Sequence, residues 1–152
     1  VEDSKTLRVT PGGMGDIKNL FLRNKKGQMW LVSCHEDRNV DLKMLAKALG
    51  AGRFSFASEA RMMQYLGRNP GSVSPFALVN DITSAVRFVI DSVLTQTEVI
   101  YLHPLVNTRT TTIATSDLLA YCARTGHKAE IITFEEDGVH CTLMEHEGTD
   151  HV

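Results

Sequence analysis

The sequence predicts an α+β domain with a mixed sheet, and three observations predict it. Short β-branched and aromatic runs outnumber the helical stretches. Some of those runs are joined by tight turns, as in hairpins, while others are separated by helical segments. The chain has no internal repeat, no low-complexity tract and no shift in composition, so its 152 residues form one domain, 1–152.

The elements follow in order. Val1 to Val9 reads as the back half of a charged helix whose front is truncated, and Thr10-Pro11-Gly12-Gly13 reads as a loop. Asn19 to Arg23 and Gln28 to Val32 are apolar runs separated by Asn24-Lys25-Lys26-Gly27, the signature of a β-hairpin. Asp41 caps a helix whose apolar face is Leu42, Leu45, Ala46 and Leu49, and Gly50 ends it. Ser58 starts a second helix carrying Met62, Met63 and Leu66, closed by Gly67. After a Gly71–Pro75 loop, Phe76 to Val79 is expected as a short buried strand. Val86 to Ile90, Val99 to Leu102 and the β-branched run Thr110 to Ala114 are expected as further strands. A helix is expected over Ser116 to Arg124, with Ser116 as its cap and Gly126 just past its end. Ala129 to Phe134 is the last strong strand. From about residue 135 the tail is acidic and histidine-containing, with one more strand at Val139 to Leu143 and a disordered end.

Bulk properties narrow the function. A hydrophobic fraction of 43% and a charged fraction of 22% are those of an ordinary globular protein. A chain of this size buries roughly two-thirds of its unfolded surface and needs no staples. No apolar run approaches the ~20 residues that span a bilayer, and no signal-peptide pattern is present. The three cysteines, Cys34, Cys122 and Cys141, are widely spaced without a CxxC, which fits free thiols in a reducing cytoplasm. A net charge of −2 argues against coating nucleic acid through bulk charge, but leaves room for a small basic patch that touches one end of an RNA.

Few residues carry candidate chemistry. Lys18 stands at the mouth of an apolar, strand-like run; such a lysine is most often a solvated edge charge. Held at the lip of a pocket, it instead presents three donors and a positive charge to an ester carbonyl or a phosphate. Asn19 points to the opposite face of a strand unless the chain bends there, and otherwise reads as a turn residue. His103 precedes Pro104, which biases it toward extended backbone and ends a strand; it is either a satisfied strand-end histidine or an imidazole that orients substrate or water. Gly71-Ser72-Val73-Ser74-Pro75 is an ordinary turn in most settings, and in others it turns backbone N–H groups inward as an oxyanion nest. Cys34-His35-Glu36-Asp37 holds potential metal ligands, but neighbours on a strand alternate faces and no second pair has zinc-like spacing, so no metal and no cofactor is expected. His140, His146 and His151 read as solvated. Lys25, Lys26 and Arg23, with Lys43, Lys47, Arg53 and Arg61, form positive spots able to steer an RNA acceptor end.

Lys18-Asn19-Leu20-Phe21-Leu22-Arg23, Gly71-Ser72-Val73-Ser74-Pro75 and His103-Pro104-Leu105-Val106-Asn107-Thr108 occur in that order. Between and after them come Val40-Asp41-Leu42-Lys43, Phe54-Ser55-Phe56-Ala57-Ser58-Glu59 and Ser116-Asp117-Leu118-Leu119. Over nearly its whole length the chain thus resembles the YbaK/ProX family, free-standing relatives of the prolyl-tRNA synthetase editing domain. It is most similar to the branch that clears alanyl-tRNA(Pro).

The resemblance implies a curved mixed sheet with flanking helices and a central pocket. It implies an aminoacyl-tRNA hydrolase in which Lys18 contacts the aminoacyl end of the tRNA and Asn19 helps hold the amino acid. In the same way Gly71, Ser72, Val73, Ser74 and Pro75 cradle the ester, and His103 stands in the pocket wall. It also implies the tRNA(Pro) acceptor end and prolyl-tRNA synthetase as partners, with neither membrane nor DNA. Where relatives often carry His-Thr before the lysine, this chain has Asp16-Ile17, beside the expected pocket. The same fold acting on cysteinyl- or seryl-tRNA, and a non-catalytic module that grips an RNA end or a partner, are the alternatives.

Overall fold

A computed structural model describes residues 14–36, 38–67, 74–102, 111–135 and 141–143. The first element is the expected hairpin: β1 (Met14–Arg23) runs antiparallel to β2 (Met29–His35), in register from Ile17 opposite His35 to Arg23 opposite Met29. Asn24 ties the turn. Its side-chain oxygen accepts from Gln28 N at 2.8 Å, its amide donates to Ala51 O at 3.1 Å, and Gly27 supplies the positive φ of 86° that the turn needs.

Helix α1 (Leu42–Leu49) starts and stops as its sequence dictates. The Asp41 side chain accepts from Lys43 N at 2.9 Å, and Gly50 closes the helix in the left-handed region. β3 (Ser55–Phe56) adds to the far end of β1, opposite Leu22 and Arg23. Ser58 caps the short α2 (Glu59–Arg61), which widens into a π-helical turn over Met62–Leu66 before Gly67 ends it.

β4 (Val86–Asp91), β5 (Val99–Leu102), β6 (Thr111–Ala114), α3 (Thr115–Arg124), β7 (Glu130–Phe134) and β8 (Cys141–Leu143) follow, with a short 3-10 turn at Leu94–Gln96 between β4 and β5. The strands form one mixed sheet in the order β6-β5-β1-β2-β4-β7-β8, with β3 paired to β1. The pairs β1–β5, β2–β4 and β4–β7 are parallel, and the rest are antiparallel.

Two expectations are corrected. Phe76 to Val79 is not a strand: Pro75–Asn80 is a 3-10 helix with Ser74 as its cap, the Ser74 hydroxyl accepting from Phe76 N at 3.2 Å. A proline at the first helical position fits that role. Helix α3 begins one residue before Ser116 and is capped by the Ala114 backbone alone. Thr115 is drawn into the core instead, its N–H donating to Glu98 O at 2.8 Å and its hydroxyl 3.4 Å from that of Thr97.

The sheet separates two cores. One face packs Leu22, Trp30, Val32, Val89 and Ile132 against Leu45, Ala46 and Leu49 of α1. The other packs Phe21, Leu31, Phe88 and Ile90 against Leu66, Ala77, Leu78, Leu118 and Cys122. A buried leucine such as Leu45 is worth about 2–5 kcal/mol against alanine.

Candidate functional site

Strand alternation decides where the predicted residues lie. Lys18 stands opposite Cys34, and Asn19 opposite Ser33. Lys18 therefore shares the α1 face with Leu20 and Leu22, while Asn19 shares the opposite face with Ile17 and Phe21. Both are half-buried. The Ser33 hydroxyl, fully buried, donates to Asn19 Oδ1 at 2.6 Å and fixes the amide on the face that also carries the Pro75–Asn80 helix.

Lys18 and Asn19 both lie on one stretch of β1 between its pairings with β5 and β3. β1 pairs with β5 only over Met14, Gly15 and Asp16, and with β3 only from Leu22 onward. Between them, the edge of β1 from Ile17 to Leu20 has no strand neighbour among the described residues. Lys18 and Asn19 flank this gap, and Asp16 stands opposite Tyr101, so the end of β5 lies next to it.

The Lys18 ammonium donates to Arg38 O at 2.6 Å. That carbonyl is itself anchored. The Arg38 guanidinium makes a two-pronged pair with Asp91, Nε to Oδ2 at 2.7 Å and Nη2 to Oδ1 at 3.2 Å, and stacks 4.5 Å above the Phe134 ring. Asp91 is fully buried at the end of β4 and also accepts from His35 N at 3.2 Å and Val93 N at 3.1 Å. The cluster sits at the carboxyl ends of the parallel strands β2 and β4, a common place for sites in sheets of this kind. Neither Arg38 nor Asp91 stands out in the sequence. The only trace is an aspartate directly after the apolar run Val86 to Ile90, where a strand end is about to turn.

Cys34 lies beside Lys18 on the same face. Burial pushes its thiol up to about 12, against a smaller downward pull from Lys18, so it stays protonated and is no nucleophile near neutral pH. No group of three His, Cys, Asp or Glu side chains among the described residues is placed to hold a metal ion. No described helix is long and apolar enough to cross a membrane.

Of the glycine–proline loop, Ser74 and Pro75 are described. Pro75 is buried, its carbonyl 4.0 Å from Cys122 Sγ, and the Phe76 carbonyl accepts from Tyr121 OH at 3.3 Å, so the loop's end is pinned to α3. Gly71, Ser72, Val73 and His103 lie outside the described residues, as do the first nine residues, the Thr10–Gly13 loop and His140, His146 and His151 of the tail.

The sequence profile of the aminoacyl-tRNA editing domain matches residues 1–121. The prolyl-tRNA editing protein ProX of Acetoanaerobium sticklandii is 42% identical over 103 residues, 67% of this chain and 63% of that protein. The chain thus spans less than two-thirds of that relative's length. Prolyl-tRNA synthetase associated domain-containing protein 1 of Bos taurus is 38% identical over 125 residues, 79% of this chain and 72% of that protein. The solved structure of a candidate trans-editing enzyme for prolyl tRNA synthetase superposes with a TM-score of 0.58, covering 90% of this chain and 73% of the other. At 18% identity that likeness is one of fold.

Proposed function

This chain belongs to the aminoacyl-tRNA editing domain family, and from that premise we propose that it hydrolyses the ester of mischarged tRNA(Pro), above all Ala-tRNA(Pro). The observation that carries the reading is half-buried Lys18, whose ammonium donates to the Arg38 carbonyl beside a stretch of β1 edge that is unpaired among the described residues. An ammonium carries three donors, and among the described residues one of them goes to Arg38 O, which suits it to meet an incoming ester or the phosphates of an RNA end as well.

The chemistry asks little of the protein. An aminoacyl ester is labile, so the site need not supply a strong nucleophile. It has to position a water, meet the developing oxyanion and let the adjacent ribose hydroxyl assist. Lys18 takes the carbonyl or terminal phosphate side. The Asn19 amide, fixed by Ser33, holds the amino acid from the other side of the gap. Backbone N–H groups of Gly71, Ser72, Val73 and Ser74, ahead of Pro75, cradle the ester, and His103 orients the substrate or the water. Water adds to the ester carbonyl, the bond to the ribose oxygen breaks, and free amino acid and uncharged tRNA leave.

The need follows from size. A synthetase pocket shaped for proline cannot strongly exclude alanine, since each missing methylene is worth only ~1–3 kcal/mol. A smaller second sieve that admits alanine and rejects the proline ring by overlap corrects this. The tRNA(Pro) acceptor end is then the partner, with prolyl-tRNA synthetase as the source of mischarged product. Free thiols suit the reducing cytoplasm where translation runs.

The test is a deacylation panel on tRNA(Pro) charged with alanine, cysteine, serine and proline. Alanine is expected to be released about ten- to a hundredfold faster than proline. Equal rates on the two esters would refute the size sieve, faster release of cysteine or serine would reassign the substrate, and tRNA binding without release of any amino acid would make the chain a binding module.

A further inference from the structure

We propose that Arg38 is the positioning residue for Lys18, acting through its own main-chain carbonyl. The inference rests on the deacylase reading for its functional meaning, but its geometry stands apart from that reading. A lysine side chain has four rotatable methylenes, and left to itself its ammonium samples many positions. Here it is tied at 2.6 Å to Arg38 O. Arg38 lies in the irregular segment between β2 and α1, where a carbonyl has no ladder to hold it.

What holds it is the Arg38 side chain. Its fork grips both oxygens of Asp91, at 2.7 and 3.2 Å, and its flat face rests on Phe134. Its N–H donates to His35 O at 3.0 Å, closing a turn onto the end of β2. Asp91 in turn accepts from His35 N, so carboxylate, guanidinium and turn form one closed unit. Three strands, β2, β4 and β7, thereby fix one carbonyl, and the carbonyl fixes the ammonium. With one of its donors committed, the directions of the other two are set. Catalysis gains most from such pre-set placement, because misplacement by about 1 Å can cost about a hundredfold.

Single-turnover release of alanine from Ala-tRNA(Pro) tests this with wild type, Lys18→Ala, Arg38→Ala, Arg38→Lys and the Lys18→Ala/Arg38→Ala double variant. Arg38→Ala is expected to lower the rate at saturating enzyme about 10- to 100-fold, while the half-saturating concentration moves by less than about twofold. Arg38→Lys, which keeps a positive charge for buried Asp91 but loses the fork, is expected to fall between and provides the folded variant if Arg38→Ala is unstable. In the Lys18→Ala background, Arg38→Ala is expected to change the rate by less than about twofold, because its route of action is already gone. The same fold-loss in both backgrounds, or full activity of Arg38→Ala, overturns the proposal.

A second readout needs no substrate. The Lys18 side-chain ammonium, observed by proton–nitrogen NMR and assigned by its loss in Lys18→Ala, is expected to be distinct from the solvated lysines in wild type and to shift toward them in Arg38→Lys. An unshifted signal overturns the proposal. If wild type releases no amino acid from any ester while this signal behaves as expected, the deacylase reading fails and the positioning contact stands.

Discussion

Asp81 and Asp91 are both buried, both accept backbone N–H groups and both pair with a basic side chain, yet their chains of contacts end in different places. Asp81, at the end of the Pro75–Asn80 helix, accepts from Ala85 N at 3.1 Å and Val86 N at 2.7 Å and pairs with His127 Nε2 at 2.9 Å. His127 Nδ1 lies 2.8 Å from Thr125 Oγ1, which donates to Cys122 O at 2.8 Å. Every step of that path ends inside the protein, between the 3-10 helix and α3. The path from Asp91 runs through Arg38 and ends on the half-buried ammonium of Lys18 at a gap in the sheet. A buried charge with partners is thus no sign of function by itself; where its chain of contacts terminates is the better guide.

The largest effect that would break this contrast is on catalysis at the open end. Lys18→Ala is expected to lower the rate of ester hydrolysis about 10²–10³-fold, the usual loss when one oxyanion or charge contact is removed. Its thermal midpoint should stay close to that of wild type, since Lys18 is a half-buried side chain with its contact at an irregular segment. Near wild-type turnover by the folded variant would remove Lys18 from the reaction and leave the Asp91 path with no functional terminus.

At the closed end the expectation reverses. Asp81→Ala strands buried His127 and two backbone donors, and should cost about 3–5 kcal/mol in urea unfolding. The rate per folded molecule should be unchanged. A variant as stable as wild type but slow in deacylation would mean that the His127 cluster, not the Arg38 one, serves the site.

The two clusters were unequally legible. Local signals spoke clearly: Asp41 and Gly50 bounded α1, Ser58 and Gly67 bounded the second helical segment, and Asn24 to Gly27 marked the hairpin, because capping and turn chemistry act over a few residues. Phe76 to Val79 misled because a short apolar run looks alike in a strand and a buried helical turn; the Ser74-Pro75 pair ahead of it was the cue for a helix start. Ser116 misled because Thr115 was recruited by the core before the helix could be capped by a side chain. Arg38 with Asp91, and Asp81 with His127, are pairings between distant segments that no local pattern encodes. Of the candidate site, motif order proposed Lys18 and Asn19, and alternation on β1 places them on opposite faces; the unpaired edge beside them comes from strand pairing alone.

A smaller effect sharpens the closed end. Gly126 joins α3 to His127 at a φ of 89°, and a Cβ there would stand 2.6 Å from Ser84 Oγ. Gly126→Ala should cost about 1–3 kcal/mol through backbone strain, with Ser84 forced aside. Thermal melting measures it, and the deacylation rate should again be unmoved. Combined with Asp81→Ala, the two losses should fall short of their sum, because both loosen the same junction.

Cys34 lies on the face of Lys18, and its loss is expected to leave the rate nearly unmoved. Its thiol is pushed up to about 12 by burial, well above the ordinary value of 9.0. Between those values the folded protein keeps the proton and the unfolded chain releases it. The unfolded state then binds fewer protons, so stability falls as pH rises from about 9 toward 12, by about 1.4 kcal/mol per pH unit for this one group. Cys34→Ala should remove that share of the alkaline slope in urea titrations at pH 9, 10 and 11. At neutral pH, where the thiol is protonated in both states, the variant should hydrolyse the ester at nearly the wild-type rate and show only the cost of a small cavity, about 1 kcal/mol. A large loss of turnover at neutral pH would show that the thiol takes part in the reaction and that the open cluster contains a nucleophile after all.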